Sequence, residues 1–441
     1  MRISNWILYL LTALLYGQNT QINSLNSNVI DDSLLTILSR EPELSVEYKL
    51  TSVSEKPNRY NYKRIHKDKL IDSLIVTGLH ELNPKLVNRF SSLFLKTPIG
   101  TEFMILGESL QKQYSFLYQI PSFEFGLTKK EQLVGRIHFS PKFESHFSGL
   151  FGMSQIENKW NVTGEMDLHL ENLFQTAGIF ELMWKRTDSL SQLIDFEVMD
   201  PHPLGWDFGI DFKYHHEVVG GLYSVIEKKS LLQFYSLWLN QFNVGYINGR
   251  TVPTLKGKEN RYENVSYKAF AFSTKKDTRN NRFLPNKGML MTTELDFGME
   301  DKTRFMKGQY EFQYYYPVNS KIHGQIKFQG KGINNFDKSI PKSRYLHYGG
   351  SSTIRGFKEQ IFSSPQYQIT SLEIGYQANP TFEGNMFLDA SLEKFNSQLK
   401  YGYGIGIIQI NKQTRIQLQY AIKDLNRFFD GKLHIKWVSR L

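Results

Sequence analysis

With 441 residues, 40% hydrophobic and 14% aromatic, no cysteine and a formal net charge of +10, the chain has room for two or three ordinary domains or for one large barrel with an appendage. Its mean hydropathy of −0.40 excludes a polytopic helical membrane protein, which needs repeated apolar runs of about 20 residues, but not a transmembrane β-barrel, whose lipid face takes every second residue. The missing cysteines exclude disulfides, thiolate metal sites, thiol nucleophiles and a lipidated cysteine. The positive charge is scattered rather than clustered, which favours anionic surfaces such as lipid head groups and lipopolysaccharide over nucleic acid.

In chain order, "MRISNWILYLLTALLYGQNTQ" places Arg2 before an apolar run from Trp6 to Tyr16 and a small residue, Gly17. That is the build of a secretory signal peptide over residues 1–17, and the run is too short to span a bilayer. Residues 18–69 are Asn-rich and then basic ("EKPNRYNYKRIHKDK") and predict a solvated arm or linker. Residues 70–142 predict a small α/β module of order β-α-α-β-β. "DSLIVTGLHELN" reads as a strand, and Pro84 opens a helix with Leu86, Val87, Phe90, Leu93 and Phe94 at helical spacing. A second helix carries Leu106, Leu110, Tyr114 and Leu117 on one face and is expected to run to Pro121. A hairpin follows, with Phe123 and Phe125 on its first strand and Val134, Ile137 and Phe139 on its second.

From 143 to 441 the period changes to two, in segments of roughly ten residues separated by turn residues. In "GMLMTTELDFG", Met289, Met291, Leu295 and Phe297 oppose Thr292, Glu294 and Asp296; in "KGQYEFQYYYP", Tyr310, Phe312, Tyr314 and Tyr316 oppose Gln309, Glu311 and Gln313. "TRIQLQYAIKD" and "KLHIKWVSRL" repeat the pattern. About sixteen such segments begin near 143, 160, 178, 191, 206, 222, 242, 264, 288, 304, 321, 367, 382, 398, 414 and 432. "LLQFYSLWLNQF", at 231–242, also admits a helix. Strands that are apolar outside and polar inside must close on themselves in lipid, because each unpaired backbone group there costs several kcal/mol. The expected fold is therefore mainly β: a 16-stranded antiparallel transmembrane β-barrel after one small α/β domain. Aromatics near strand ends (Tyr314 to Tyr316, Trp437, Trp206) fit interfacial girdles. A soluble β-solenoid or sandwich is the alternative that periodicity alone leaves open.

One segment, about 334–366, interrupts the strands with "YLHYGGSSTIRGFKEQIF". The alternation of the strands after it points Glu373 and Asp389 into the lumen and sets Gly402, Gly404 and Gly406 in an inward row. A glycine row weakens a strand unless another backbone must come close. Arg355 in the loop is suited to bridging two carboxylates, since its guanidinium offers five donors. Gly356 would give tight passage beside the wall, and Phe357 would fill the space above the glycines. On spacing alone this reading stands level with ordinary lumen carboxylates and a solvated arginine.

"GGSSTIRGF" resembles the Val/Ile-Arg-Gly-Phe/Tyr lumenal-loop motif of the outer membrane protein 85 superfamily. "FLDAS" resembles that family's Phe-x-Asp-x-Gly strand motif, with Ser391 in place of glycine. "LEIGY" resembles the strand that supplies the loop arginine with its second carboxylate. "DLHLENLFQTAG" and "MDPHPLGWDFGIDFKY" resemble its early barrel strands, and 70–142 has the order of its POTRA domain. The chain departs from the family in showing one POTRA-like unit and in ending on Leu441 rather than an aromatic. The resemblance implies an outer-membrane location with the POTRA-like domain in the periplasm. It implies Ile354, Arg355, Gly356 and Phe357 as the loop anchor, with Glu373 and Asp389 as its partners. It further implies insertion or translocation of unfolded outer-membrane or secreted client polypeptides by POTRA capture and a lateral barrel seam, with accessory assembly subunits as further partners. A dedicated secretion pore of the two-partner type and a passive porin are the alternatives. No catalytic residue, metal or cofactor is expected: the chain has no HExxH, nucleophile elbow or phosphate loop.

Overall fold

The computed structural model describes residues 22–26, 46–55, 58–66, 70–128, 132–156, 159–236, 239–281, 283–394, 397–411, 414–424 and 430–440. The expected signal peptide lies outside them. Three strands, β1 (Ile22–Asn26), β2 (Val46–Glu55) and β3 (Asn58–His66), form a small antiparallel sheet in the order β1-β3-β2, where the sequence predicts an arm. The reason lies in "VEYKL" and "YNYKRI": alternating β-branched and aromatic residues carry strand propensity beneath a charge density that reads as solvated.

The α/β module comprises β4 (Ser73–Thr77), α1 (Pro84–Leu95), α2 (Thr101–Gln113), β5 (Ser122–Leu127) and β6 (Leu133–His138). Its sheet runs β4-β6-β5, with β4 parallel and β5 antiparallel to β6. Proline at the first helical position starts α1 where the missing N–H is not needed. The helix then turns Phe90 and Phe94 fully inward against Phe103 and Phe139. Phe94 and Phe103 sit 4.8 Å apart, ring centre to ring centre, and Phe103 meets Phe123 at 4.9 Å. α2 ends at Gln113, well before Pro121, because Leu117 leaves the helix to form an isolated bridge with Pro141.

The barrel strands are β7 (His146–Ile156), β8 (Lys159–Leu173), β9 (Gly178–Asp188), β10 (Ser191–Asp200), β11 (Gly209–Val219), β12 (Tyr223–Ser236), β13 (Asn240–Pro253), β14 (Val265–Asp277), β15 (Gly288–Glu300), β16 (Thr303–Pro317) and β17 (Ile322–Asn335). Two short strands, β18 (Leu346–Tyr348) and β19 (Phe362–Ser364), pair with each other inside the long loop. β20 (Gln366–Asn379), β21 (Phe382–Leu392), β22 (Lys400–Ile410), β23 (Thr414–Lys423) and β24 (Lys432–Arg440) complete the wall. β7 to β17 and β20 to β24 make a closed antiparallel barrel of sixteen strands, with β24 paired to β7. In the ambiguous stretch at 231–242, residues 231–236 and 240–242 are strand. Leu231 and Gln233 are buried while Leu232 faces out, a period of two that no helix can satisfy.

The outer face carries the apolar set, as lipid requires. Leu372, Ile374 and Tyr376 on β20, Met386 and Leu388 on β21, and Tyr403, Ile405 and Ile407 on β22 are all exposed, while Asp389, Phe387 and Ser391 between them are buried. Tyr314, Tyr316, Trp206 and Trp437 are likewise exposed. The connections alternate between two ends: 201–208, 278–287, 318–321 and 380–381 lie at one, and 254–264, 301–302, 393–399 and the longest, 336–365, at the other. We take the end with the longest loop as the extracellular one.

Candidate functional site

The loop 336–365 turns inward and touches both sides of the lumen. Positive φ at Gly349 (124°), Gly350 (95°) and Gly356 (90°) lets the backbone reverse in little space. Ile354 is fully buried with Tyr348, Phe357, Tyr367 and Ile369 in one apolar cluster.

Arg355, 8% exposed, holds the wall. Its Nε and Nη2 donate to Oδ2 and Oδ1 of Asp389, both at 2.7 Å, a bidentate fork, and its backbone N donates to Oδ2 at 3.0 Å. Nη1 donates to Glu373 Oε2 at 3.1 Å, and Asn385 Nδ2 donates to the other Glu373 oxygen at 2.6 Å. The guanidinium carbon lies 3.4 Å over the Phe387 ring, a stacked geometry suited to arginine.

Strand register explains why these groups meet. Glu373 pairs across from Phe387, and Asp389, Phe387 and Asn385 pair across from Gly402, Gly404 and Gly406. Each glycine leaves room for a particular neighbour. A Cβ on Gly402 would run into the carbonyl oxygen of Arg355, and one on Gly404 would lie 2.7 Å from Phe387 Cζ. A Cβ on Gly406 would press on Asn385 and Gln419. The ring above the glycine row is therefore Phe387, from the wall itself. Phe357, expected there, turns into the loop's own cluster, 5.1 Å from Phe362. A platform that stacks the guanidinium needs an aromatic fixed on the strand beside the carboxylates, and a loop residue following Arg355 points away from it.

With the arginine site and the barrel described, comparison with known proteins is decisive. The family model described as the Omp85 superfamily domain matches residues 172–431. The chain belongs to the Omp85 superfamily. No curated protein matches it by sequence. Among solved structures, BamA from Haemophilus ducreyi lacking POTRA domains 1–3 is similar at 12% identity and TM-score 0.54, covering 94% of this chain and 93% of that one. CdiB from Escherichia coli is similar at 11% identity and TM-score 0.61, over 95% and 84%. CdiB from Acinetobacter baumannii is similar at 11% and 0.55, over 94% and 80%. These likenesses concern the fold. Family membership makes this an outer-membrane barrel of the class that handles secreted or outer-membrane polypeptides, and members of that class are transporters or assembly factors.

The Omp85 barrel also carries contacts that sequence reading missed. Arg344, in a 3-10 turn at Lys342–Arg344, donates through Nε to Glu300 Oε2 at 3.0 Å and lies 3.5 Å over the Tyr267 ring. Glu300 is fully buried at the end of β15 and also accepts from Asn335 Nδ2 at 2.9 Å. Farther along the loop, Glu359 meets Lys185 of β9 at 3.0 Å, and Gln360 Nε2 donates to Glu217 of β11 at 3.2 Å. The loop is thus bonded at Glu300, at Glu373 and Asp389, and at β9 and β11 across the lumen. Among the described residues no group of three or more His, Cys, Asp or Glu is placed to hold a metal ion.

Gly402→Ala is expected to lower the urea midpoint of the folded barrel by an amount equal to about 1–3 kcal/mol, the usual range for forcing an atom into a packed site. Gly384→Ala serves as the control, because a Cβ there meets nothing within 4 Å, and it should fall within about 0.5 kcal/mol of wild type. Equal midpoints for the two variants would remove the close approach of loop and strand from the account.

Proposed function

We propose that this Omp85 chain inserts or translocates unfolded polypeptides by a lateral route, through the junction of β7 and β24. The supporting observation is the length of that junction. Its register covers Val438–Ser148, Ser439–Phe147 and Arg440–His146, three rungs, whereas β23 and β24 share eight and β12 and β13 fourteen. A short ladder in lipid is a pair of strand edges waiting for partners, and a client strand that templates on either edge satisfies backbone groups that otherwise cost several kcal/mol each. We read residues 70–142 as a POTRA-like periplasmic domain. β5 lies at one side of its sheet, so an extended client can add there by β-augmentation. In this reading Arg355 braces the wall and performs no chemistry. A secretion pore or porin working through the lumen would first have to displace a loop bonded to both sides.

The chain has no cysteine, so a seam lock can be built cleanly. Val438 and Ser148 are direct partners, and opposed antiparallel residues sit about 4.5–5.5 Å apart, within disulfide reach. Val438→Cys with Ser148→Cys, oxidised, is expected to stop client insertion in a reconstituted assay while leaving heat-modifiable mobility unchanged, and reduction should restore it. Wild-type insertion by the locked barrel would refute the lateral route. Depletion in cells then separates the classes. Broad loss of outer-membrane barrels marks an insertase, loss of one secreted protein marks a dedicated transporter, and an unchanged proteome counts against both.

A further inference from the structure

The outer face of β11 to β15 carries a feature that handling polypeptides does not require. Along the apolar side of these strands, exposed Lys228, Arg250 and Lys268 stand where lipid-facing residues are expected. Register brings them together: Lys228 pairs with Asn248, and Asn248 with Lys268, so the two lysines share a rung two strands apart. Arg250 is the next outward residue on the middle strand, paired with Ile226 and Ser266. Strand spacing puts the lysines about 10 Å apart, with Arg250 about 7 Å farther toward the extracellular end.

Among the described residues none of the three has a hydrogen bond or ion pair, and no Asp or Glu shares their outward face on β11 to β14. Acids do occur at the rim, at Glu259, Glu263 and Asp301, and Asp301 is engaged by the backbone N of Ser266 at 3.1 Å. One rung toward the membrane centre, Phe212, Tyr246, Phe270 and Phe297 face out, and Phe270 is 76% exposed. A phenylalanine so uncovered belongs in lipid, and an aromatic rung marks the boundary of the hydrocarbon. The cations above it lie at headgroup depth, at the extracellular end. Elsewhere on the outer wall at the same end Arg304 is paired with Asp337 at 3.6 Å and Arg186 donates to the carbonyl of Asp188 at 3.2 Å, and the rim above the triad carries Lys256, Lys258 and Arg261 beside its acids, so the three wall cations have no acid of their own.

We propose that Lys228, Arg250 and Lys268 form a docking site for the phosphate groups of an outer-leaflet glycolipid, a bisphosphorylated lipid A. Three cations within side-chain reach of one another, with no acid between them, match a headgroup bearing two phosphates, and the aromatic rung beneath takes its acyl chains. This site is independent of the lateral seam, so either can fail without the other.

The test uses the full chain in nanodiscs. Binding of bisphosphorylated lipid A, its dephosphorylated form, phosphatidylglycerol and inorganic phosphate is compared by native mass spectrometry and by salt-dependent affinity. Wild type should bind the bisphosphorylated lipid at least about tenfold more tightly than the dephosphorylated one, since each basic residue near an anionic lipid surface adds a factor of several. K228S/R250S/K268S should lose that preference while keeping its heat-modifiable mobility. Equal binding of the two lipid A forms by wild type overturns the proposal without recourse to any variant. Equal or tighter binding of phosphatidylglycerol, or saturation by inorganic phosphate alone, overturns it too. So does full retention of the preference in the triple variant.

Discussion

Arg355→Ala is expected to lower the unfolding free energy of the barrel in lipid vesicles by about 3–5 kcal/mol, the usual result of removing one partner from a buried ion pair. The carboxylate of Asp389 is fully buried and receives three N–H donors, two of them from the guanidinium. Truncating the arginine leaves that charge with one donor and takes a donor from Glu373. Asp389→Asn should do similar harm, because an amide cannot accept the fork with both its atoms. The double variant Arg355→Ala with Asp389→Ala should be less damaged than the sum of the single changes, by about 0.5–3 kcal/mol of coupling. Tryptophan fluorescence through a urea series reads these values. A planar-bilayer recording adds a second view, since a loosened loop should raise and destabilise conductance. Wild-type midpoints and wild-type conductance in both single variants would remove the pairing from its proposed role.

Glu300→Ala comes next in size, also at about 3–5 kcal/mol. Arg344 is buried, and its Nη2 has no hydrogen-bond partner. Without Glu300 it keeps the rings of Tyr267 and Phe305 but no hydrogen-bonded carboxylate; the nearby Glu227 is engaged by the Tyr267 hydroxyl at 2.6 Å. Asn335 loses its acceptor as well. Glu300→Gln keeps the oxygen acceptor and loses the charge, so it should cost less, about 1.5–3 kcal/mol, the span for hydrogen bonds to charged groups. If Glu300→Ala unfolds with wild type, the Arg344 contact does not hold the loop.

The contrast between these arginines shows what the sequence makes legible. Lipid forces strict alternation, so inward acids at 373 and 389 and the glycine row could be assigned to one wall once the strands were placed. Arg355 stood out because the surrounding Gly and Ser residues made its loop conspicuous. Glu300 sits where β15 ends against Asp301 and Lys302, and acids beside turns ordinarily face water. Arg344, in "PKSRY", likewise reads as a surface turn. Both are buried only because the loop folds back on the strand, a contact between positions with no shared periodicity. The space left by the glycine row, expected to hold Phe357, holds Phe387 for a related reason. Sequence adjacency drew attention to the loop residue, while the register of β21 against β22 put Phe387 there. Strand starts fell within a few residues of expectation, since turn residues bound each segment. The end of α2 did not, because Leu117 is apolar in either conformation.

The loop bridges the lumen. Arg355 grips β20 and β21, and four to five residues on, Glu359 and Gln360 grip β9 and β11. A hoop with a tie-rod fixed across it resists being squeezed into an oval, and strain imposed on it concentrates where the rim is most weakly riveted. That place is the three-rung join of β7 to β24. Widening the join therefore either swings β7 to β9 outward and draws on the Lys185–Glu359 link, or leaves the rod in place and peels β24 alone. The geometry makes the two motions distinguishable by whether that one ion pair survives.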